Sequence, residues 1–143
     1  MKYIGIDPGE RRVGIAVSDP DGRLAMPAGV IEEEDPERQI EAILSAVGNH
    51  GAEAVVVGMP YTLRGDVGPA AERVQQQVER LRARADVPVH THDERFSSGI
   101  AERVLLDADV SRQRRKQNID KLAASVMLQS FLDGRRPSAE SDA

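Results

Sequence analysis

Three carboxylates stand where strands or helices should begin or end, and such positions let acidic side chains do chemistry. Asp7 closes the run Tyr3–Asp7 (YIGID) and leads into a Pro-Gly turn. A carboxylate there can project into a cleft, although a plain turn aspartate satisfying backbone N–H groups fits equally well. Gly5 lies two residues back on the same strand face and is expected to leave room for a metal or a phosphate. Glu94 sits in Asp93-Glu94-Arg95, at the end of a segment, Val87 to His92, that reads as a strand. Adjacent strand side chains face opposite ways, so we assign Glu94 to the cleft and Asp93 to its support. The plainer alternative is a surface ion-pair cluster. Asp120 lies beside the stripe Ile119, Leu122, Ala123, Val126, and an acid in a first helical turn also simply suits the helix dipole. Singly, each residue decides little. Together, three carboxylates on separate segments can converge on divalent cations. Oxygen-only ligation suits Mg²⁺ or Mn²⁺ rather than zinc. Two such ions about 4 Å apart would activate a water and stabilise the leaving oxygen of a phosphodiester.

Basic residues lie where phosphates would then need them. From Ser111 to Lys121, Arg112, Arg114, Arg115, Lys116 and Lys121 face one acid, Asp120, a local charge of +4. Arg11 and Arg12 follow the first turn, and Arg95 follows Glu94. A solvated basic helix end is the bland alternative, but the neighbouring carboxylates favour phosphate binding. Arg64, in the loop Gly58-Met-Pro-Tyr-Thr-Leu-Arg-Gly65, can join backbone N–H groups in cradling phosphate. That loop lacks the GK[ST] ending of a P-loop. His90 and His92 share a strand face and read as ordinary strand residues. Only four aromatics occur, Tyr3, Tyr61, Phe96 and Phe131, so backbone and shape recognition is expected in place of stacking on an aromatic platform.

The chain has 143 residues, the length of one domain. It has no cysteine, which excludes disulfides, zinc fingers, iron–sulfur clusters and thiol nucleophiles. The net charge of −5 disfavours a generic nucleic-acid coat, but part of it is the proposed metal-binding equipment. No apolar run approaches the ~20 residues of a membrane span. The N-terminus meets charge too early for a signal peptide, so a soluble cytoplasmic protein is expected.

The elements that must position these residues follow from periodicity and turn chemistry. Tyr3–Asp7, Val13–Val17 and Arg23–Ile31 read as an antiparallel three-strand meander, with Asp19-Pro-Asp-Gly22 as its second turn. Asp35 caps a helix that starts at Pro36, carries Ile40, Ile43, Leu44 and Val47, and stops at Gly48. Ala54–Gly58 (AVVVG) reads as a strand buried on both faces. Pro69 starts a helix with Ala71, Val74, Val78, Leu81 and Ala85 on one stripe. Val87–His92 is a further strand, and Ser97 or Ser98 can cap a helix to about Leu106. The basic segment precedes a last helix from about Ile119 to Leu132, stopped at Asp133-Gly134. The fold class expected is α/β, a mixed sheet of meander plus α/β crossovers, flanked by helices. Residues 1–134 form one domain, and 135–143 a disordered tail.

Four segments, GIDPGERRVGIAVSD, VVVGMPYTLRGDVG, THDERFSS and RRKQNIDKLAASVMLQSFLD, occur in the order in which they resemble the YqgF family. The resemblance spans nearly the whole chain. It implies an RNase H-like fold related to RuvC-type Holliday-junction resolvases. The family is described as nucleases that process the 5′ end of bacterial pre-16S rRNA in ribosome biogenesis, and it was first proposed to resolve junctions. Its first-strand aspartate, DER glutamate and final-helix aspartate fall on Asp7, Glu94 and Asp120. The loop usually reads LN-x-x-G, and Thr62 stands here for its asparagine. The expected function is a two-metal phosphodiester hydrolase using Mg²⁺ or Mn²⁺. Pre-rRNA is the expected substrate, with branched DNA as alternative and ribosomal particles as further partners. The chain would act as a monomer or homodimer, away from any membrane. Competing readings are a non-catalytic nucleic-acid module of the same fold and one lobe of an actin-like ATPase.

Overall fold

The computed structural model describes residues 1–95 and 112–135; for 112–120 it describes the backbone only. Five strands and three helices make up this part. The strands are β1 (Tyr3–Asp7), β2 (Arg12–Ser18), β3 (Ala25–Glu32), β4 (Ala54–Met59) and β5 (Val89–Asp93). The helices are α1 (Pro36–His50), α2 (Pro69–Arg84) and α3 (Arg112–Arg135). The sheet order is β3-β2-β1-β4-β5. β1, β2 and β3 pair antiparallel, whereas β4 pairs parallel to both β1 and β5. This is the meander-plus-crossover sheet expected from the sequence.

Alternation along β1 sorts the core into two layers. Ile4 and Ile6 pack with Ile40 and Ile43 of α1 and Val74, Val78 and Leu81 of α2. Tyr3 faces the other way, with Ala16 and Val56, against Ala124, Met127, Leu128, Phe131 and Leu132 of α3. β4 is buried at all six positions because helices cover both its faces.

Local chemistry sets most boundaries. Asp19 accepts hydrogen bonds from the N–H groups of Arg23 (2.7 Å) and Leu24 (3.0 Å), and Gly22 takes φ 69°, closing the β2–β3 turn. Asp35 caps α1 by accepting from the Arg38 N–H at 2.9 Å. Several ends differ from expectation. β3 starts at Ala25, because Arg23 and Leu24 are held in the Asp19 turn. α1 runs past Gly48 to His50 and stops at Gly51, the residue that reaches left-handed φ (63°). β5 starts at Val89, after Pro88. α3 starts at Arg112 rather than near Ile119, so the basic segment forms its first turns. Arginine, lysine and glutamine are good helix formers. α3 also passes Asp133-Gly134 to reach Arg135. Its buried face is Ala123, Ala124, Met127, Leu128, Phe131 and Leu132, while Leu122 and Val126 are only half-buried. The helix expected from Ser97 or Ser98 to Leu106 lies outside the described residues, as does the expected tail 135–143 except for Arg135, which belongs to α3.

Candidate active site

The parallel pairing of β1, β4 and β5 brings three strand ends together. Asp7 is the last residue of β1 and lies on the α3 face with Tyr3 and Gly5. On β5 the same face carries His90 and His92, whose rings pack against Phe131 of α3. Alternation continues to Glu94, one residue beyond the strand, and a Glu94 N–H bond to the Met59 carbonyl (3.1 Å) fixes it to the end of β4. Asp93 faces away. Its carboxylate accepts from the Arg95 N–H (2.9 Å) and from Arg95 Nε (2.7 Å).

Gly58 makes the remaining space. A Cβ at that position would lie 2.4 Å from the Glu94 carboxyl carbon, so Glu94 lies directly over the bare backbone of β4. From there it hydrogen-bonds the Asp7 carboxyl. Two carboxyls in such a bond share a proton. Burial, the bond to Asp7 and the charges of Asp7 and Asp93 push Glu94 up to about 10. Burial also raises Asp7, and the bond from Glu94 partly offsets that rise. Both side chains keep some solvent access, so the pair is reachable from outside.

Gly5 does not leave the room expected of it. A Cβ there would meet Leu128 Cβ at 2.9 Å, so α3 fills the space above Gly5. The same contact orients α3. Leu128 lies over Gly5, and Phe131 and Arg135 lie over Tyr3, so the helix runs antiparallel to β1. Ala124 then falls about 6 Å towards the Asp7 end, and the Asp120 backbone about one turn beyond it. Among the described residues, no three His, Cys, Asp or Glu side chains are grouped to hold a metal, and the Asp120 side chain lies outside that description.

The predicted phosphate-binding residues are scattered. Arg11 is exposed and pairs with Glu34 at 3.2 Å. Arg64 is exposed on the β4–α2 loop, and Arg95 is held by Asp93. Arg112, Arg114, Arg115 and Lys116 occupy the first turns of α3, with their side chains outside the description. His90 and His92 act as strand residues, and His92 bonds Ser130 at 3.0 Å. Burial lowers both imidazoles. A mixed-charge concavity of about 160 Å³ lies on the α1–α2 side instead, with Glu10, Gln39 and Arg73 in its wall.

Two contributors escaped the sequence reading. Gly58 was legible only as the glycine ending a buried strand. Gln39 is a buried polar residue on α1, and its amide donates to the carbonyls of Gly9 (3.2 Å), Glu10 (3.0 Å) and Glu33 (2.5 Å). It thereby fixes the turn behind Asp7. Its signal was a glutamine next to the apolar stripe of α1.

A meander extended by two parallel strands, with acids at the joined strand ends, defines an α/β protein of RNase H-like fold. Thermus thermophilus RuvC bound to a Holliday junction substrate has the same fold, with a TM-score of 0.61 at 20% identity, covering 94% of this chain and 95% of that one. Residues 1–134 match the family model RuvX, described as Holliday junction resolvase, and the chain belongs to that family, the YqgF family of the sequence motifs. A relative from Desulforudis audaxviator is 40% identical over 136 residues, covering 95% of this chain and 96% of the relative. Another from Chloroflexus aggregans is 44% identical over 133 residues, covering 93% and 94%. Both carry the name "Putative pre-16S rRNA nuclease".

Proposed function

We propose that this protein is a divalent-metal-dependent endonuclease that trims the 5′ end of pre-16S rRNA. The observation that carries this reading is the buried Asp7–Glu94 carboxyl pair at the joined ends of β1 and β5. Two packed carboxyls are stable with a shared proton or with a multivalent cation, and are costly with neither. Oxygen-only donors fit Mg²⁺ or Mn²⁺, with Asp7, Glu94 and Asp120 as the ligands. The bound ion would supply Lewis-acid stabilisation of charge on the phosphodiester oxygens. The chain does the rest. Asp7 and Glu94 hold the donor oxygens fixed, Gln39 braces the turn after Asp7, and Asp93 aims Arg95. Arg11, Arg64 and the basic turns of α3 hold the sugar-phosphate backbone. Residues 1–134 act as one nuclease domain. Among the described residues no helix is long and apolar enough to cross a membrane, and a cytoplasmic site of action fits rRNA maturation.

The rRNA reading is preferred over junction resolution because relatives near 40% identity carry the rRNA name, whereas RuvC at 20% identity speaks for the fold alone. The family description keeps branched DNA as the second reading, and symmetric cleavage of a junction would call for a homodimer. An rRNA enzyme could work as a monomer on a ribosomal particle. Depletion in the source organism, with rRNA 5′ ends mapped, should leave unprocessed precursor. A purified protein that cleaves a synthetic four-way junction but not precursor RNA would reverse the preference. Asp7→Asn should remove Mn²⁺-dependent cleavage while the protein stays folded by circular dichroism, and full activity in that variant would end the assignment.

A further inference from the structure

The β4–α2 loop, residues 60–68, is braced in an unusual way for a segment that exposes apolar side chains. Thr62 N–H bonds the Asp66 carbonyl at 3.0 Å, Gly65 N–H bonds the Thr62 carbonyl at 2.8 Å, and Asp66 N–H bonds Thr62 Oγ1 at 3.1 Å. These bonds close a tight turn with Leu63 and Arg64 at its corners. Thr62 thus does the bracing that a short polar side chain does in such turns. Gly65 takes φ 88°, and a Cβ there would lie 2.8 Å from Arg95 Nη1. The Arg95 guanidinium therefore packs on bare backbone at Gly65, while its Nε is held by Asp93 at 2.7 Å. Arg95 directly follows Glu94, so the turn is latched to the strand end that carries the site. Leu63 is 88% exposed and Val67 is 50% exposed.

Single exposed apolar residues are ordinary on protein surfaces. Here the exposure sits on a fixed corner, beside Arg64 and next to the candidate site. Among the described aromatics, Tyr3 and Phe131 pack on each other, and Tyr61 packs, partly buried, against the α1–α2 core. Leu63 is the most exposed large apolar side chain among the described residues.

We propose that the 60–68 loop is a substrate arm in which Leu63 packs on an unpaired nucleotide base beside the scissile phosphate, and that the Asp93–Arg95–Gly65 latch sets its position. This rests on the nuclease reading and names its substrate form, a single-stranded segment. A wedge into duplex would have to unstack bases, whereas an unpaired base offers its face directly.

The test uses the full chain and a fluorescein-labelled single-stranded 12-nucleotide RNA. Anisotropy in EDTA gives the Kd, and cleavage in Mn²⁺ gives the KM. Leu63→Ser should weaken binding roughly tenfold, through the apolar surface no longer buried on the base, and raise KM in parallel. Its melting temperature should not move, because the side chain is exposed. Leu63→Met should bind as the parent does. Gly65→Ala should weaken binding to a similar extent, and Leu63→Ser added to it should cost little more. An unchanged Kd in Leu63→Ser overturns the arm, and fully multiplicative effects of the two changes overturn the latch. If the parent binds RNA but does not cleave it, the nuclease reading falls, while the Kd values still judge the arm.

Discussion

The Asp7–Glu94 pair makes folding stability depend on pH in a direction that can be worked out. In the unfolded chain Glu94 releases its proton near the ordinary 4.5, whereas in the folded protein it keeps it up to about 10. Between those values the folded state binds more protons, so stability falls as pH rises. Asp7 is raised too and adds the same sign. In EDTA the melting temperature should therefore decline from pH 5 towards pH 9. Glu94→Gln, which keeps the shape and can still donate to Asp7, should melt higher than the parent at pH 8 and show no cleavage. Mn²⁺ competes with the shared proton and should raise the parent's melting temperature more at pH 9 than at pH 6. A flat profile in EDTA would show that the two carboxyls do not share a proton. The types and positions of Asp7 and Glu94 were legible in sequence, because strand ends and alternation are local. Their contact was not, since it depends on the pairing of β1 and β5 with β4, which are distant in the chain.

The elements explain why two glycines with similar surroundings on paper do different work. Both lie on the α3 face, Gly5 in β1 and Gly58 in β4. A Cβ on Gly5 meets Leu128 Cβ at 2.9 Å, and a helix packed on a sheet cannot easily retreat. Gly5→Ala should cost about 1–3 kcal/mol in chemical denaturation, as overpacked cores do. A Cβ on Gly58 meets the end of a flexible side chain, the Glu94 carboxyl, at 2.4 Å. Glu94 can swing out, so Gly58→Ala should fold yet lose cleavage by roughly a hundredfold, as when a catalytic group is displaced by an ångström. Equal melting losses in both variants would refute the distinction. The sequence showed each as a glycine in a strand, which signals close approach of something but does not say of what. For the same reason the sequence alone suggests room beside Asp7 at Gly5, where Leu128 packs instead. Capping and turn residues such as Asp35, Pro36 and the Asp19 turn were readable, because their chemistry is complete within a few residues. The start of α3 was not, because the basic run carries no apolar stripe to mark where the helix begins.

At the scale of the molecule, an acidic chain must approach a polyanion. The net charge of −5 repels phosphates at long range, so attraction has to be local. The first turns of α3 carry Arg112, Arg114, Arg115 and Lys116, with no acid in the first turn. Cations at a helix N-terminus oppose the helix dipole by about 0.3–1 kcal/mol each, so this placement does not serve helix stability. It does place four basic residues in the first turns of α3, which suits a phosphate backbone. α3 runs antiparallel to β1, and this brings that end to the Asp7 side of the sheet. Replacing Arg114, Arg115 and Lys116 together with glutamate should weaken RNA binding across all sequences rather than at one site. If the three make one phosphate contact each with single-stranded RNA, the slope of log K against log salt should become shallower by about 2. The check is a salt titration of the Kd for parent and variant on the same labelled RNA. An unchanged slope would move the phosphate-binding surface away from α3, to Arg11, Arg64 and Arg95, and would leave the carboxyl pair as it stands.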